Sequence, residues 1–139
     1  MIYVFDSSFI AALIIPDERD PHSDRMYTKI KNEDEKHTPQ LLWYEITNIF
    51  KNLLRRKRYT YEEVLQFFPL LSSIRLITDF ETDVNYSKKI LNLCNNYNLT
   101  SYDAAYLELA ERKKAVLCTL DENLIIAAKK HNVAFLNVV

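Results

Sequence analysis

The sequence predicts an α/β fold in which helices cover both faces of a central parallel sheet. Short runs of β-branched and aromatic residues alternate along the chain with longer segments of helical periodicity. Strands separated by helices form parallel sheets, because each helix returns the chain to the same edge. The 139 residues contain no internal repeat, low-complexity tract or Pro/Ser-rich linker, so we expect one domain over residues 1–139.

The predicted elements alternate in type along the chain. The run Ile-Tyr-Val-Phe predicts a first strand, and apolar spacing of three and four residues predicts the helices that follow. The first part is predicted to contain a strand at 2–5, helices at 7–14 and 21–30, an extended segment at 36–38 and a helix at 40–56. The second part is predicted to contain helices at 61–71, 82–97, 102–113 and 122–131, with strands at 74–77, 116–119 and 134–136.

Glycine is absent from the chain, whereas average usage predicts roughly ten residues. A P-loop, a dinucleotide-binding G-x-G-x-x-G turn and a G-x-S-x-G nucleophile elbow are therefore excluded. The backbone also lacks the residue that adopts positive φ most readily, so left-handed positions have to be filled by other residues, with asparagine and aspartate the best suited.

Overall charge and targeting signals place few constraints on function. Lysine and arginine total 18 against 19 acidic residues, so any nucleic-acid binding has to come from a local patch. We find no signal-peptide pattern and no apolar stretch of the roughly 20 residues that span a membrane. Cys94 and Cys118 lie in apolar segments without metal-ligand spacing, as expected for reduced thiols. We therefore expect a cytoplasmic protein without a membrane partner.

Three aspartates are predicted at the edge where parallel sheets bind ligands, beyond the carboxyl ends of the strands. Asp6 follows the first strand, Asp121 follows the strand at 116–119, and Asp103 lies at the start of a helix. Each also fits a purely structural role, because aspartate is a favoured helix cap and Thr100 with Asp103 resembles a capping box.

Glu45 provides a fourth carboxylate. In the helix at 40–56, apolar residues form a stripe, and Glu45 falls on the edge of that stripe with Asn48 on the same side. A glutamate there is partly removed from water. It either extends to solvent or faces other charged groups or a cation that offset the cost of desolvation.

Four gathered carboxylates repel one another unless a cation lies among them. Oxygen-only ligands suit Mg²⁺ or Mn²⁺ rather than zinc, and the three histidines show no ligand-like spacing. No serine or cysteine nucleophile motif is present either. The chemistry that remains is metal-assisted attack of water on a phosphorus centre.

These residues fall in segments that resemble the PIN-domain ribonucleases, in particular the VapC-type toxins of prokaryotic toxin–antitoxin pairs. The resemblance spans the whole chain and rests on four segments in order. They are Asp6-Ser7-Ser8, Pro39-x-Leu41-Leu42-x-x-Glu45-Ile46-x-Asn48, Leu99-Thr100-x-Tyr102-Asp103-Ala104-x-Tyr106-Leu107-x-Leu109-Ala110 and Leu117-x-Thr119-x-Asp121-x-x-Leu124.

The resemblance implies a three-layer α/β/α fold and hydrolysis of RNA with one or two Mg²⁺ or Mn²⁺ ions. It implies a catalytic and metal-binding quartet formed by Asp6, Glu45, Asp103 and Asp121. Supporting roles carry over to Ser7, Thr119 and Asn48. The implied partners are an RNA substrate and an antitoxin protein, in a homodimer or a toxin–antitoxin hetero-oligomer.

The resemblance also bears on the missing glycine. In the family's usual pattern a glycine is common at two helix ends, where this chain has Asn98 and Asn132. We therefore predict positive φ at both asparagines.

A basic segment closes the helix that carries Glu45. Its members are Lys51, Arg55, Arg56, Lys57 and Arg58. Cations are favoured at helix C-termini and on solvated faces, which is one explanation. The alternative is a patch that binds RNA phosphates.

Other functions remain open at this point. A haloacid-dehalogenase-type phosphatase needs a second aspartate two residues after the first, where this chain has Ser8. A receiver-like Mg²⁺-binding regulatory domain needs a phosphoacceptor aspartate, and Asp79 is the candidate. The third alternative is a PIN-like module that has lost catalysis and only binds.

Overall fold

The computed structural model describes residues 1–136. The strands are β1 (Ile2–Phe5), β2 (Glu35–Pro39), β3 (Ile77–Asp79) and β4 (Val116–Cys118). The helices are α1 (Ser7–Ile14), α2 (Pro21–Thr28), α3 (Leu41–Arg55), α4 (Tyr61–Leu65), α5 (Phe67–Ser73), α6 (Val84–Tyr97), α7 (Ser101–Lys113) and α8 (Glu122–Lys130), with a 3₁₀ turn at Pro16–Glu18.

The four strands form one parallel sheet in the order β3-β2-β1-β4, as the sequence predicts. Val4 lies opposite His37 on one side and Leu117 on the other, so the carboxyl ends of β1 and β4 align. The pairing continues one residue further, because the Asp6 amide donates to the Cys118 carbonyl at 3.2 Å. Residues that follow these two strands therefore meet at one edge of the sheet.

Helices pack on both faces of the sheet, and the alternation of side chains along β1 shows this directly. Tyr3 and Phe5 belong to a core shared with α1, α3 and α5, whereas Val4 belongs to a second core shared with α6, α7 and α8. In β4, Cys118 belongs to the first of these cores and Leu117 to the second. The predicted three-layer α/β/α arrangement is confirmed.

The predicted helix at 61–71 is wrong in one respect, because the structure has two helices there. Helix α4 ends at Leu65 and α5 begins at Phe67. Pro69 has no amide hydrogen to donate to the Leu65 carbonyl, and its ring would collide with that carbonyl in a continuous helix. The proline instead occupies the first turn of α5, where its missing donor costs nothing.

The predicted strand at 74–77 is also misplaced. Ile74 is 3% exposed and belongs to the core beside α5, and Arg75 has φ 60°, which terminates the helix. Strand β3 therefore starts only at Ile77. Part of the apolar run that indicates a strand at 74–77 therefore belongs to the end of α5.

The last predicted strand, at 134–136, is reduced to a single parallel bridge between Leu117 and Phe135. The Leu117 amide donates to the Ala134 carbonyl at 2.8 Å, and the Leu136 amide donates to the Leu117 carbonyl at 2.9 Å. The other predicted elements agree with the structure to within two residues at each end.

Asparagine takes two of the left-handed positions, as predicted. Asn98 has φ 53° and Asn132 has φ 56°. Lys57, Arg75 and Lys114 also have positive φ, which the sequence pattern does not indicate. In the part of the chain that the structure describes, no helix is both long enough and apolar enough to cross a membrane.

Candidate active site

Asp6 is the most firmly held of the predicted site residues. It directly follows β1 and caps α1, because its Oδ1 accepts from the Phe9 amide at 2.9 Å and from the Ser8 hydroxyl at 2.7 Å. Its Oδ2 accepts from the Thr119 hydroxyl. Asp6 is only 5% exposed, and this burial raises its pKa to about 6, with a contribution from the negative charge of Glu45.

The hydroxyls of Thr119 and Ser8 hold the Asp6 carboxylate in place. The sequence indicates Thr119 and Ser7, so one of the two expected residues differs. Thr119 contacts Asp6 as expected. The serine beside it is Ser8, whose Oγ also accepts from the Leu120 amide at 3.0 Å and thereby joins the loop after β4 to α1. Ser7 faces Glu45 and Tyr106 instead. A side chain two residues after an aspartate cap folds back on it readily, which is the local signal for Ser8.

Glu45 is half-buried on α3, at the edge of its apolar stripe as predicted. Its Oε1 accepts from the Tyr106 hydroxyl at 2.5 Å. Burial raises the pKa of Glu45, and the negative charge of Asp103 raises it further, whereas the Tyr106 hydroxyl acts in the opposite direction. Tyr106 lies one helical turn after Asp103 on α7, so i, i+3 spacing could have identified it as a neighbour of the site.

Asp103 and Asp121 both lie at helix starts, and both take part in capping. The Asp103 amide donates to the Thr100 hydroxyl at 3.2 Å in the first turn of α7, and Asp121 accepts from the Leu124 amide at 3.0 Å at the start of α8. Asp121 is therefore the cap that the sequence predicts, whereas of the capping box predicted for Thr100 and Asp103 the structure shows the bond from the Asp103 amide. Burial raises the pKa of Asp103, and the charge of Asp121 adds to that effect.

The four carboxylates form an electrostatically linked series. Glu45 acts on Asp6, Asp103 acts on Glu45, and Asp121 acts on Asp103, each raising the next pKa. Among residues 1–136, no three His, Cys, Asp or Glu side chains stand close enough to hold a metal ion as they are. The carboxylates share an edge of the sheet but are not drawn together around one point.

The donors of this series nevertheless suit a hard divalent cation. All are oxygens, and each histidine is engaged elsewhere: His37 with Glu35, His22 with Arg25, and His131 with Tyr97. A cation among the carboxylates would offset both their burial and the repulsion between neighbouring negative charges.

The basic segment separates into residues with different surroundings. Arg56 lines a cleft of about 340 Å³ together with Ser8, the neighbour of Asp6. Arg58 is paired with Asp17 at 2.7 Å, and Lys57 forms the left-handed turn after α3. Lys51 and Arg55 are exposed on α3. Only part of the predicted patch therefore faces the site.

Asp79 has the wrong surroundings for the phosphoacceptor of a receiver-like domain. It ends β3, which is an edge strand of the sheet. Its two carboxylate oxygens accept from Arg112 at 3.0 and 2.7 Å, and this pair lowers the pKa of Asp79. The aspartate is thus a structural ion-pair partner of α7.

Comparison with known proteins gives a match to the PIN domain family over residues 3–130. Ribonuclease VapC3 of Pyrobaculum aerophilum is 33% identical over 131 residues, which cover 89% of this chain and 92% of that protein.

Solved structures with lower identity share the fold. The crystal structure of VapC20 of Mycobacterium tuberculosis, a sarcin-ricin loop cleaving toxin, superposes with a TM-score of 0.66 at 17% identity, over 91% of this chain and 95% of that one. A toxin–antitoxin complex from Klebsiella pneumoniae gives a TM-score of 0.59 at 14% identity, over 86% of each chain. Since the family match covers nearly the whole chain and the VapC relative is similar over most of its length, the chain belongs to the PIN domain family, among the VapC-type ribonucleases.

Proposed function

We propose that this protein is a Mg²⁺- or Mn²⁺-dependent endoribonuclease and acts as the toxin of a toxin–antitoxin pair. The observation that carries the proposal is the series of four carboxylates, each acting electrostatically on the next, that follow β1 and β4 and lie on α3 and α7. Family membership adds support, because the relative at 33% identity is a ribonuclease.

The residues that would hold the ion are Asp6, Glu45, Asp103 and Asp121. A divalent cation there supplies positive charge that acidifies water and stabilises the negative charge that develops on the phosphate. The hydroxyls of Ser8 and Thr119 donate to Asp6 and favour its ionised form, which is the form that binds a cation.

Glu45 is suited to a second task. It is half-buried and burial raises its pKa, so it accepts a proton more readily than an exposed carboxylate. The Tyr106 hydroxyl donates to its carboxylate and restricts its rotation. Asn48, one turn further along α3, lines a cleft together with Glu45 and can donate to a phosphate or a base.

The test is cleavage of a fluorescent RNA by the purified protein in Mn²⁺, with EDTA as the metal-free arm. We expect cleavage only with metal, and loss of at least 100-fold in Asp6→Asn. Asp20→Asn is the matched control, since Asp20 also caps a helix, α2, away from the site.

Cleavage that persists in EDTA, or an Asp6→Asn variant as active as the wild type, would contradict the proposal. A wild-type protein that binds RNA and never cleaves it would support the non-catalytic PIN-like module instead.

The antitoxin is the second proposed partner. A structural relative is a toxin–antitoxin complex, and a protein that covers the carboxylates would block RNA. Co-expression with the product of a neighbouring small reading frame should yield a complex that does not cleave RNA. A complex with undiminished activity would contradict this assignment. A homodimer is expected from the family, and sedimentation of the purified protein measures it.

A further inference from the structure

A second cleft, of about 440 Å³, lies beside the first half of α3. It is lined by Leu41, Tyr44, Glu45, Asn48 and Tyr102. This volume falls in the range of small-ligand sites. Because Glu45 lines the cleft, anything that occupies it lies next to the carboxylate series.

Two exposed tyrosines dominate the surface of this cleft. Tyr44 is 71% exposed and Tyr102 is 61% exposed, and each immediately precedes a site carboxylate, Glu45 or Asp103. Over residues 1–136, neither hydroxyl has a hydrogen-bond partner and neither ring packs on another aromatic ring. A single exposed tyrosine is ordinary, but two lining one cleft at the site give that cleft aromatic walls that no other described residue covers.

We propose that Tyr44 and Tyr102 form a subsite that stacks an unpaired nucleobase of the RNA next to the phosphate that is cleaved. The inference rests on the proposed ribonuclease function and specifies its substrate. Aromatic rings bind the faces of bases irrespective of sequence, and the Asn48 amide is positioned in the same cleft to meet a base edge.

The charge of the cleft favours a base over other occupants. Glu45 and the nearby Asp103 make this wall negative, so it repels phosphates in the absence of a cation. An uncharged base face meets no such repulsion. Since bases in a duplex are stacked inside it, the subsite selects RNA that is single-stranded at this position, such as a loop or bulge.

The experiment measures cleavage by Tyr44→Ala and Tyr102→Ala on an RNA that the wild type cuts, with Phe at both positions as the conservative variants. Loss of one stacked base should lower kcat/KM by roughly 5- to 150-fold, and Phe should restore it to within about threefold. Tyr61→Ala is the matched control, because Tyr61 is equally exposed at 61% but does not line the cleft. An abasic nucleotide at the stacked position should slow the wild type and leave the alanine variants unaffected.

Binding provides a readout that does not depend on cleavage. An RNA with 2-aminopurine at successive positions is titrated into the Asp6→Asn protein, and quenching at one position should disappear when either tyrosine is replaced by alanine. If RNA is never cleaved but this quenching is seen, the proposed function fails and the base subsite stands. If RNA is cleaved and the tyrosine variants match wild type in both assays, the inference is overturned, and the surface is then left for a protein partner.

Discussion

Asp6 combines a structural role with a proposed chemical one. It caps α1 and accepts hydrogen bonds from Ser8 and Thr119, yet its burial raises its pKa to about 6. A carboxyl whose pKa is raised in the folded state binds its proton more tightly there than in the unfolded chain. Its contribution to stability is therefore fully present only below its ordinary pKa of 3.8 and is lost as the pH rises through about 6.

The raised pKa of Asp6 predicts that Asp6→Asn stabilises the metal-free protein at pH 7, because the substitution removes a buried charge and keeps a capping oxygen. We expect a gain of roughly 2 kcal/mol over wild type at pH 7 that shrinks toward pH 4, measured by urea unfolding in EDTA.

Saturating Mn²⁺ is the control arm of this unfolding experiment. A cation that binds only the folded wild type stabilises it, so the order of the two proteins should reverse. A difference that is the same at every pH, or an unchanged order in Mn²⁺, would contradict this account of Asp6.

Tyr106 is a positioning residue, because it acts on the site through Glu45. Its hydroxyl is buried and donates to Glu45, which lowers the pKa of that carboxyl against the effect of burial. Tyr106→Phe keeps the ring and removes the donor, so the pKa of Glu45 should rise. We predict that the acidic limb of the pH–rate profile moves to higher pH in this variant.

The control for Tyr106→Phe is Tyr27→Phe, which removes a hydroxyl from a half-buried ring in the other core. It should leave the profile unmoved. Equal displacement by both variants would show that the effect comes from altered packing and would refute the positioning role.

At the scale of elements, the sequence predicts well where its signals are local and periodic. Strand β1 and helix α1 are recovered exactly, since an apolar run followed by an aspartate cap specifies both. Strand β3 is missed because its three residues carry too little pattern against the apolar end of α5. The distinction between Ser7 and Ser8 depends on how the loop after β4 docks, which is a tertiary contact.

Helix ends show the cost of a chain without glycine. Lys114 caps α7 at φ 52° and ψ 44°, a conformation that costs an ordinary L-residue about 1 kcal/mol and glycine almost nothing. The three site aspartates were predictable as strand-end or helix-start residues and Glu45 from the apolar stripe of α3, whereas lysine in a left-handed cap was not.

We therefore predict that Lys114→Gly stabilises the protein by roughly 0.5–1 kcal/mol, whereas Asn98→Gly changes stability less because asparagine already tolerates this region. Lys113→Gly, one residue earlier inside α7, should destabilise by about 1 kcal/mol. Urea unfolding at pH 7 measures all three, and a destabilised Lys114→Gly variant would show that the cap is not strained.

At the scale of the whole molecule, the charge is nearly balanced, with a formal net charge of −1. Long-range attraction of RNA is therefore weak, and binding has to depend on a few local contacts. The row Leu41, Glu45, Asn48, Asn52, Arg56 runs along one side of α3 at helical spacing and lines both clefts. The two tyrosines and Glu45 lie near one end of this row, and Arg56 lies at the other end.

Within the predicted basic patch, this arrangement favours Arg56 as the residue that contacts an RNA phosphate. Arg56 is open to the cleft beside Ser8, whereas Arg58 is already paired with Asp17. Each phosphate contact on single-stranded RNA contributes about 0.7 to the slope of log affinity against log salt concentration. Arg56→Ala should therefore weaken binding and reduce that slope by roughly 0.7, whereas Arg58→Ala should change it less.

Salt titrations of RNA binding in the Asp6→Asn background measure these slopes without cleavage. Lys89→Ala is the control, since Lys89 is exposed on α6 and lines neither of the two clefts. If Arg56→Ala leaves the slope unchanged, the cations at the end of α3 serve only the helix terminus. If all three variants reduce it equally, RNA is attracted by diffuse charge, and the row along α3 does not define its path.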